Sequence, residues 1–436
     1  MYRGQVEIDN ILYQFRFEDF KLFISGNKKI YSWNQIKGLV EDDLIILQDF
    51  NNDVLYLKTD ERYCSSLFEY VFNISAYIIK FNRNRSNSVD KSLCFDNMIF
   101  RSDVIDYFFR DNDNFRQEIA YLLAGDDTMA EPEKRPPVSV KLDDKLYKME
   151  FRTMMQGSNL PFPYVIRNYI RLFRKEMNNV QETFKIAKTV QLFLKFISQS
   201  SNVNFFDSIW LVNGENVDNC DTFMYLRPEE EKLNVDQVLT YEDIKEIAGS
   251  LLEMIYNEQI CFRSLFPSNY DRITYADIMN VCAAFETQFK SRYQKNFRYE
   301  EQEIVKEKMI DILEQSRELG FAKEEKPLFD ELLSGFKLVS ETLRKRIEIA
   351  LDDFKDMYGD EEIRCDFEDD YLRMPERIKN SRNALDHGRL KYQFQNIMFW
   401  DAELLRAVVY MMILETAGLA DKQKIKSSVK RLSRTP

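Results

Sequence analysis

The chain has 436 residues, 44% hydrophobic and 31% charged, with 61 basic against 73 acidic side chains and a formal net charge of −12. That balance describes an ordinary acidic globular protein of two or three domains. It excludes a protein that coats nucleic acid unspecifically, because any contact with phosphate must come from a local basic patch.

Six scattered cysteines (Cys64, Cys94, Cys220, Cys261, Cys282 and Cys365) form no Cys-x-x-Cys pair, and a single histidine accompanies them. This argues against a zinc site and for reduced thiols in a cytoplasmic protein, with no metal and no cofactor expected. The first residues, MYRGQVEIDN, are polar and lack a signal-peptide core. The most apolar helix, LLRAVVYMMILETAGL, is too short and too interrupted to span a membrane.

Residues 1 to about 60 read as short strands: ILYQFRFE, KLFISG and NDVLYLKTD, with turn chemistry at Gly26-Asn27 and Asn51-Asn52-Asp53. SLFEYVFNISAYIIKF fits one or two further strands, although a helical start stays open. RSDVIDYFFRD and FRQEIAYLL are ambiguous in type, and DDTMAEPEKRPP is a loop. VSVKL and LYKMEFR read as a hairpin turning at Asp143-Asp144. From 163 to 200 the pattern predicts helix, first YVIRNYIRLFRKEM with Arg167, Arg171, Arg174 and Lys175, then VQETFKIAKTVQLFLKFIS. Those basic residues suit a solvated helix face better than a nucleic-acid contact. FDSIWLVNG and TFMYLRP add two strands.

The expectation is an α+β protein, with a β-rich mixed N-terminal domain over 1–235 and a connecting helical segment over 236–273. Thr240 is a plausible cap of the first helix there, with Asp243 three residues on. Helices are predicted over 274–294, 299–320, 327–359, 372–387 and 401–418, enough for an antiparallel bundle over 274–420. A basic tail over 421–436 holds Lys422, Lys424, Lys426, Lys430, Arg431 and Arg434. It reads either as an RNA-backbone contact or as a frayed terminus.

Within the bundle lies Ser-Arg-Asn-Ala-Leu-Asp-His-Gly, residues 381–388, which contains the single histidine, His387. Gly388 is a natural helix stop, so His387 falls in the last turn, where the dipole favours its protonated form. Asn383 and His387 are four apart and share a face, so Asn383 could orient the ring; Arg382 and Asp386 are also four apart and could pair. Arg382 and His387 diverge by roughly 140° on a regular helix. Two copies across a two-fold axis would bring both side chains to one cleft. RNA carries its own nucleophile, the 2′-hydroxyl, and a cleaving protein must supply a proton carrier near neutral pH and fixed positive charge for the phosphorane. Histidine suits the first task and arginine the second.

Arg-Asn-x-x-x-His-Gly, preceded by a long helix and followed by the apolar helix ending in LETAGL, resembles the Arg-x4-6-His motif of HEPN ribonucleases. The long mixed N-terminal portion is similar in organisation to anti-phage HEPN proteins of the ApeA type. The resemblance implies a metal-independent endoribonuclease that leaves 2′,3′-cyclic phosphate and 5′-hydroxyl ends, acting in antiviral defence or as a growth-arresting toxin. It implies Arg382, His387 and Asn383 as the catalytic residues, with Asp386 tuning local charge. It also implies a homodimer with a composite active site, RNA as substrate, and an N-terminal sensor of a trigger such as a viral protein. AAFETQF resembles the first HEPN helix, in which an acidic residue, here Glu286, often sits near the motif. Arg389 and Lys391 after the motif, and Lys424, Lys426, Lys430 and Arg431 in the tail, are the candidate RNA contacts. HEPN-type bundles also serve as non-catalytic dimerisation or nucleotide- and RNA-binding modules, and this is the alternative reading.

Overall fold

The computed structural model describes residues 1–26, 37–66, 69–82, 93–110, 117, 120, 135–157, 164–206, 208–214, 220–229, 233–262, 265, 274–293, 300–318, 326–337, 342–358, 373–387 and 397–432. Contacts divide the chain into two compact units, 1–257 and 258–436. The first is sheet-rich and the second helical, an α+β protein. The helical stretch at 241–256, read above as a connector, packs within the first unit.

The first unit holds strands β1 (Tyr2–Ile8), β2 (Ile11–Glu18), β3 (Lys21–Ser25), β4 (Leu44–Gln48), β5 (Val54–Ser66), β6 (Glu69–Lys80), β7 (Cys94–Phe100), β8 (Val138–Leu142), β9 (Lys145–Gly157), β10 (Tyr164–Asn179), β11 (Ile209–Val212) and β12 (Thr222–Leu226). Its helices are α1 (Asp103–Phe108), α2 (Val180–Ser198), α3 (Tyr241–Ile244) and α4 (Ala248–Tyr256). The pairings are antiparallel, in the order β1-β2-β3-β6-β12-β11-β7-β10-β9-β8, with β5 on the other edge of β6 and β4 beyond β5. β1 meets β4 again at the Gly4–Asp49 bridge, so the first six strands close into a ring around Phe15, Leu22, Ile24, Ile45, Leu55 and Phe72. Gly4 is required there, because a Cβ would lie 2.4 Å from the Phe15 ring and 2.7 Å from the Gln48 carbonyl.

The turns are built from acidic residues and asparagine. Asp9-Asn10 and Asp143-Asp144 both take positive φ between paired strands, as two-residue hairpins of matching twist demand. The VSVKL–LYKMEFR hairpin is therefore present as expected, and SLFEYVFNISAYIIKF contributes β6.

One element differs from the sequence reading. YVIRNYIRLFRKEM is strand β10, not a helix. Its even positions, Asn168, Ile170, Leu172 and Arg174, are buried, while Arg167, Tyr169, Arg171 and Phe173 alternate on the other face. β10 is paired on both edges, by β9 and by β7, and those pairings outweigh the ambiguous spacing. Helix α2 begins directly after it, with Asn179 and Glu182 forming a reciprocal capping box. RSDVIDYFFRD resolves into the short helix α1, capped by Ser102.

The helical unit contains α5 (Tyr275–Tyr293), α6 (Glu300–Glu318), α7 (Lys326–Lys337), α8 (Leu343–Tyr358), α9 (Met374–Asp386), α10 (Ile397–Thr416) and α11 (Lys422–Leu432). The predicted 327–359 helix is thus two elements, α7 and α8. Thr274 caps α5, with its N–H and hydroxyl both donating to Asp277 (2.6 and 2.7 Å). Thr240 and Asp243 repeat this at α3 (2.7 and 2.8 Å), the cap expected from sequence. α10 is the central helix: Leu405, Val408, Val409, Met411, Met412, Ile413 and Leu414 are all fully buried, and it packs against α5, α9 and α11. The basic tail forms α11, a packed helix and not a frayed end over 422–432, with Ile425, Ser428 and Val429 buried.

Candidate active site

Helix α9 carries the Arg-Asn-x-x-x-His stretch, and its sequence says how it lies. Pro375 stands in the first turn, where its missing N–H costs nothing. Met374, Ile378, Ser381 and Ala384 recur at helical spacing and are buried, so this stripe faces the bundle. α9 packs on α5, α8 and α10. Arg377 joins it to α10 by two 2.7 Å bonds onto the carboxylate of Asp401, which is 5% exposed. Ser381 donates to the Arg377 carbonyl (2.8 Å), and its Oγ touches Met398 Sδ of α10 at 3.1 Å. These contacts fix the rotation of α9 about its own axis.

The candidate site residues lie outside that buried stripe. Arg382 is half-buried, and its Nη2 lies 3.5 Å from Oε2 of Glu286 on α5. Its Nε lies 3.5 Å from Asp386, one turn on. Glu286 extends the chain of charges, with Oε1 3.9 Å from Nη1 of Arg346 on α8. The structure thus brings together Arg382, Asp386 and Glu286. His387 is the C-cap of α9 (φ −97°, ψ 8°), with its backbone N–H bonded to the carbonyls of Asn383 and Leu385. Its imidazole is exposed and, among the described residues, has no hydrogen-bond partner. Asn383 is half-buried on the same turn, and the ring-orienting hydrogen bond anticipated for it is not made. Gly388, Arg389 and Lys391 lie outside the described residues. Lys424 and Lys426 are half-buried on α11, which packs on α10 and α8. For Lys430 and Arg431 the helix is described but not the side chains.

Beneath Glu286, one turn back on α5, sits Cys282, 1% exposed. Burial pushes its thiol up to about 12, with Arg382 pulling the other way and the carboxylates of Glu286 and Asp386 adding to the rise. It is an inert core thiol. Cys94, Cys220, Cys261 and Cys282 are in no disulfide. Among the described residues, no three histidine, cysteine or acidic side chains gather as a metal site, and no helix is long and apolar enough to cross a membrane.

Two features escaped sequence reasoning: the Arg377–Asp401 clamp and Arg346. Arg346 left a signal, because it falls among Leu343, Ile347 and Ala350, positions that helical periodicity assigns to the core.

The helical unit thus carries an Arg-x4-His pair at the end of α9. Residues 279–423, from within α5 into α11, match the family model described as Apea-like HEPN, so the helical unit contains an Apea-like HEPN domain. That family points to an RNA-related, nuclease-type role in defence. No curated protein and no solved structure matches the chain.

Proposed function

We propose that the protein is a metal-independent endoribonuclease acting in anti-phage defence or as a growth-arresting toxin. The observation that carries this is that the last turns of α9 hold an exposed imidazole, His387, and five residues before it a half-buried arginine, Arg382, held by carboxylates. The RNA 2′-hydroxyl attacks the adjacent phosphorus and its proton passes to a base. The O2′–P bond forms, the P–O5′ bond breaks, and O5′ leaves with a proton. The products are a 2′,3′-cyclic phosphate and a 5′-hydroxyl. The His387 imidazole carries a proton in this exchange. Arg382 forks onto the phosphorane oxygens and offsets their charge, and Asn383 orients phosphate or histidine. One chain has one histidine, whereas the reaction needs a base and an acid; two copies across a two-fold axis supply both. Cytoplasmic RNA is the substrate, Arg389, Lys391 and the basic face of α11 hold its backbone, and the sheet-rich unit senses the trigger, such as a viral protein.

One observation favours a second reading. Arg382 already faces Glu286 and Asp386, so phosphate must displace a carboxylate. A non-catalytic dimerisation or RNA-binding module would keep that pairing closed. The deciding experiment is cleavage of mixed cellular RNA in excess chelator by wild type, His387→Ala and Arg382→Ala, with analysis of the new ends. Cyclic-phosphate ends from wild type, and a loss of roughly 10³-fold or more in each variant, are expected. Cleavage that persists in His387→Ala refutes the mechanism. Binding of RNA without cleavage by wild type supports the second reading.

A further inference from the structure

Glu286 is the point at which arginines from two different helices meet. Oε2 faces Arg382 of α9 at 3.5 Å, and Oε1 faces Arg346 of α8 at 3.9 Å. The Arg346 side chain is 5% exposed, and its guanidinium also lies 5.7 Å from the centroid of the Phe289 ring, one turn beyond Glu286. A guanidinium is costly to bury unless a carboxylate shares its charge, and it holds that carboxylate in turn. Arg346 and Arg382 both face Glu286, and Asp386 also faces Arg382. Without Arg346, the Glu286 carboxylate has lost its attraction toward α8 and would close fully onto Arg382.

We propose that Arg346 is a positioning residue for RNA cleavage: by drawing on one oxygen of Glu286, it keeps that carboxylate from closing fully onto Arg382, so that the scissile phosphate can displace it from the Arg382 guanidinium. This rests on the ribonuclease reading above. Arg346 touches no reacting atom, and its effect passes through Glu286. The mechanism has a consequence that a merely structural role lacks, because removing the Glu286 charge must repair the loss of Arg346.

The test uses the full chain and a defined RNA oligonucleotide, with kcat and KM measured for wild type, Arg346→Gln, Arg346→Lys, Glu286→Gln and the Glu286→Gln/Arg346→Gln pair. Arg346→Gln is expected to lower kcat/KM about tenfold. Arg346→Lys keeps the charge and the fold and should lie within about threefold of wild type. The double variant should recover to within about threefold of Glu286→Gln alone. Wild-type activity in Arg346→Gln, or a double variant no better than Arg346→Gln, overturns the inference. If no variant cleaves RNA, the ribonuclease reading has failed, and the coupling is read from melting. The Tm shifts of Arg346→Gln and Arg382→Gln should then depart from additivity by about 2 °C or more when Glu286 is present, and add when it is glutamine. Additive shifts in both backgrounds overturn it.

Discussion

Arg382 is partly exposed and lies 3.5 Å from each of two carboxylates, a geometry in which ion pairs are weak and exchangeable. Asp386 is the more exposed of the two, so its charge is the easier for solvent to screen. Asp386→Asn should therefore free Arg382 for phosphate and lower the KM for RNA by about two- to fivefold. A rise in KM would show that Asp386 aims the guanidinium. Cys282 permits a pH prediction. Its folded thiol is raised from 9.0 to about 12, so the neutral form is favoured in the native state. The stabilisation is fully present below the unfolded value and is lost as pH rises from about 9 toward 12. Cys282→Ala should flatten the stability profile over that window relative to wild type. In the native protein Cys282 should also resist iodoacetamide at neutral pH, which peptide mapping would read.

At the scale of elements, the orientation of α9 depends on the Arg377–Asp401 pair. Both side chains are largely buried, and removing one partner takes two 2.7 Å bonds from the other. Asp401→Ala should cost about 3 kcal/mol in a urea melt and abolish cleavage with it, because α9 would lose its rotational lock. In the sheet-rich unit, helix α4 lies so close to β8 that a Cβ on Gly249 would meet the Ser139 carbonyl at 2.8 Å. Gly249→Ala should destabilise that unit by about 1–3 kcal/mol.

The whole molecule is two compact units, each with its own core. Calorimetry should resolve two transitions, with Gly249→Ala lowering one and Asp401→Ala the other. A single transition shifted by both would show that the units unfold together. Under the proposed ribonuclease function a chain of net charge −12 must rely on local cations, so kcat/KM should fall steeply between about 50 and 200 mM salt.

The class of fold, helix α9 and most strands were legible in the sequence, because these signals are local. Asp143-Asp144 marks a hairpin turn, period-2 alternation marks half-buried strands, Thr240 with Asp243 caps a helix, and Met374, Ile378 and Ala384 among charged residues mark α9. β10 was not legible, since apolar residues with arginines at 167, 171 and 174 satisfy either period, and only pairing with β7 and β9 decides between them. The arginine network was not legible either. Arg346, Glu286 and Arg382 lie on three helices separated by tens of residues, and no local rule couples them. Packing of α5, α8 and α9 brought their charges together, because a buried guanidinium is tolerated only where the fold delivers a carboxylate to it.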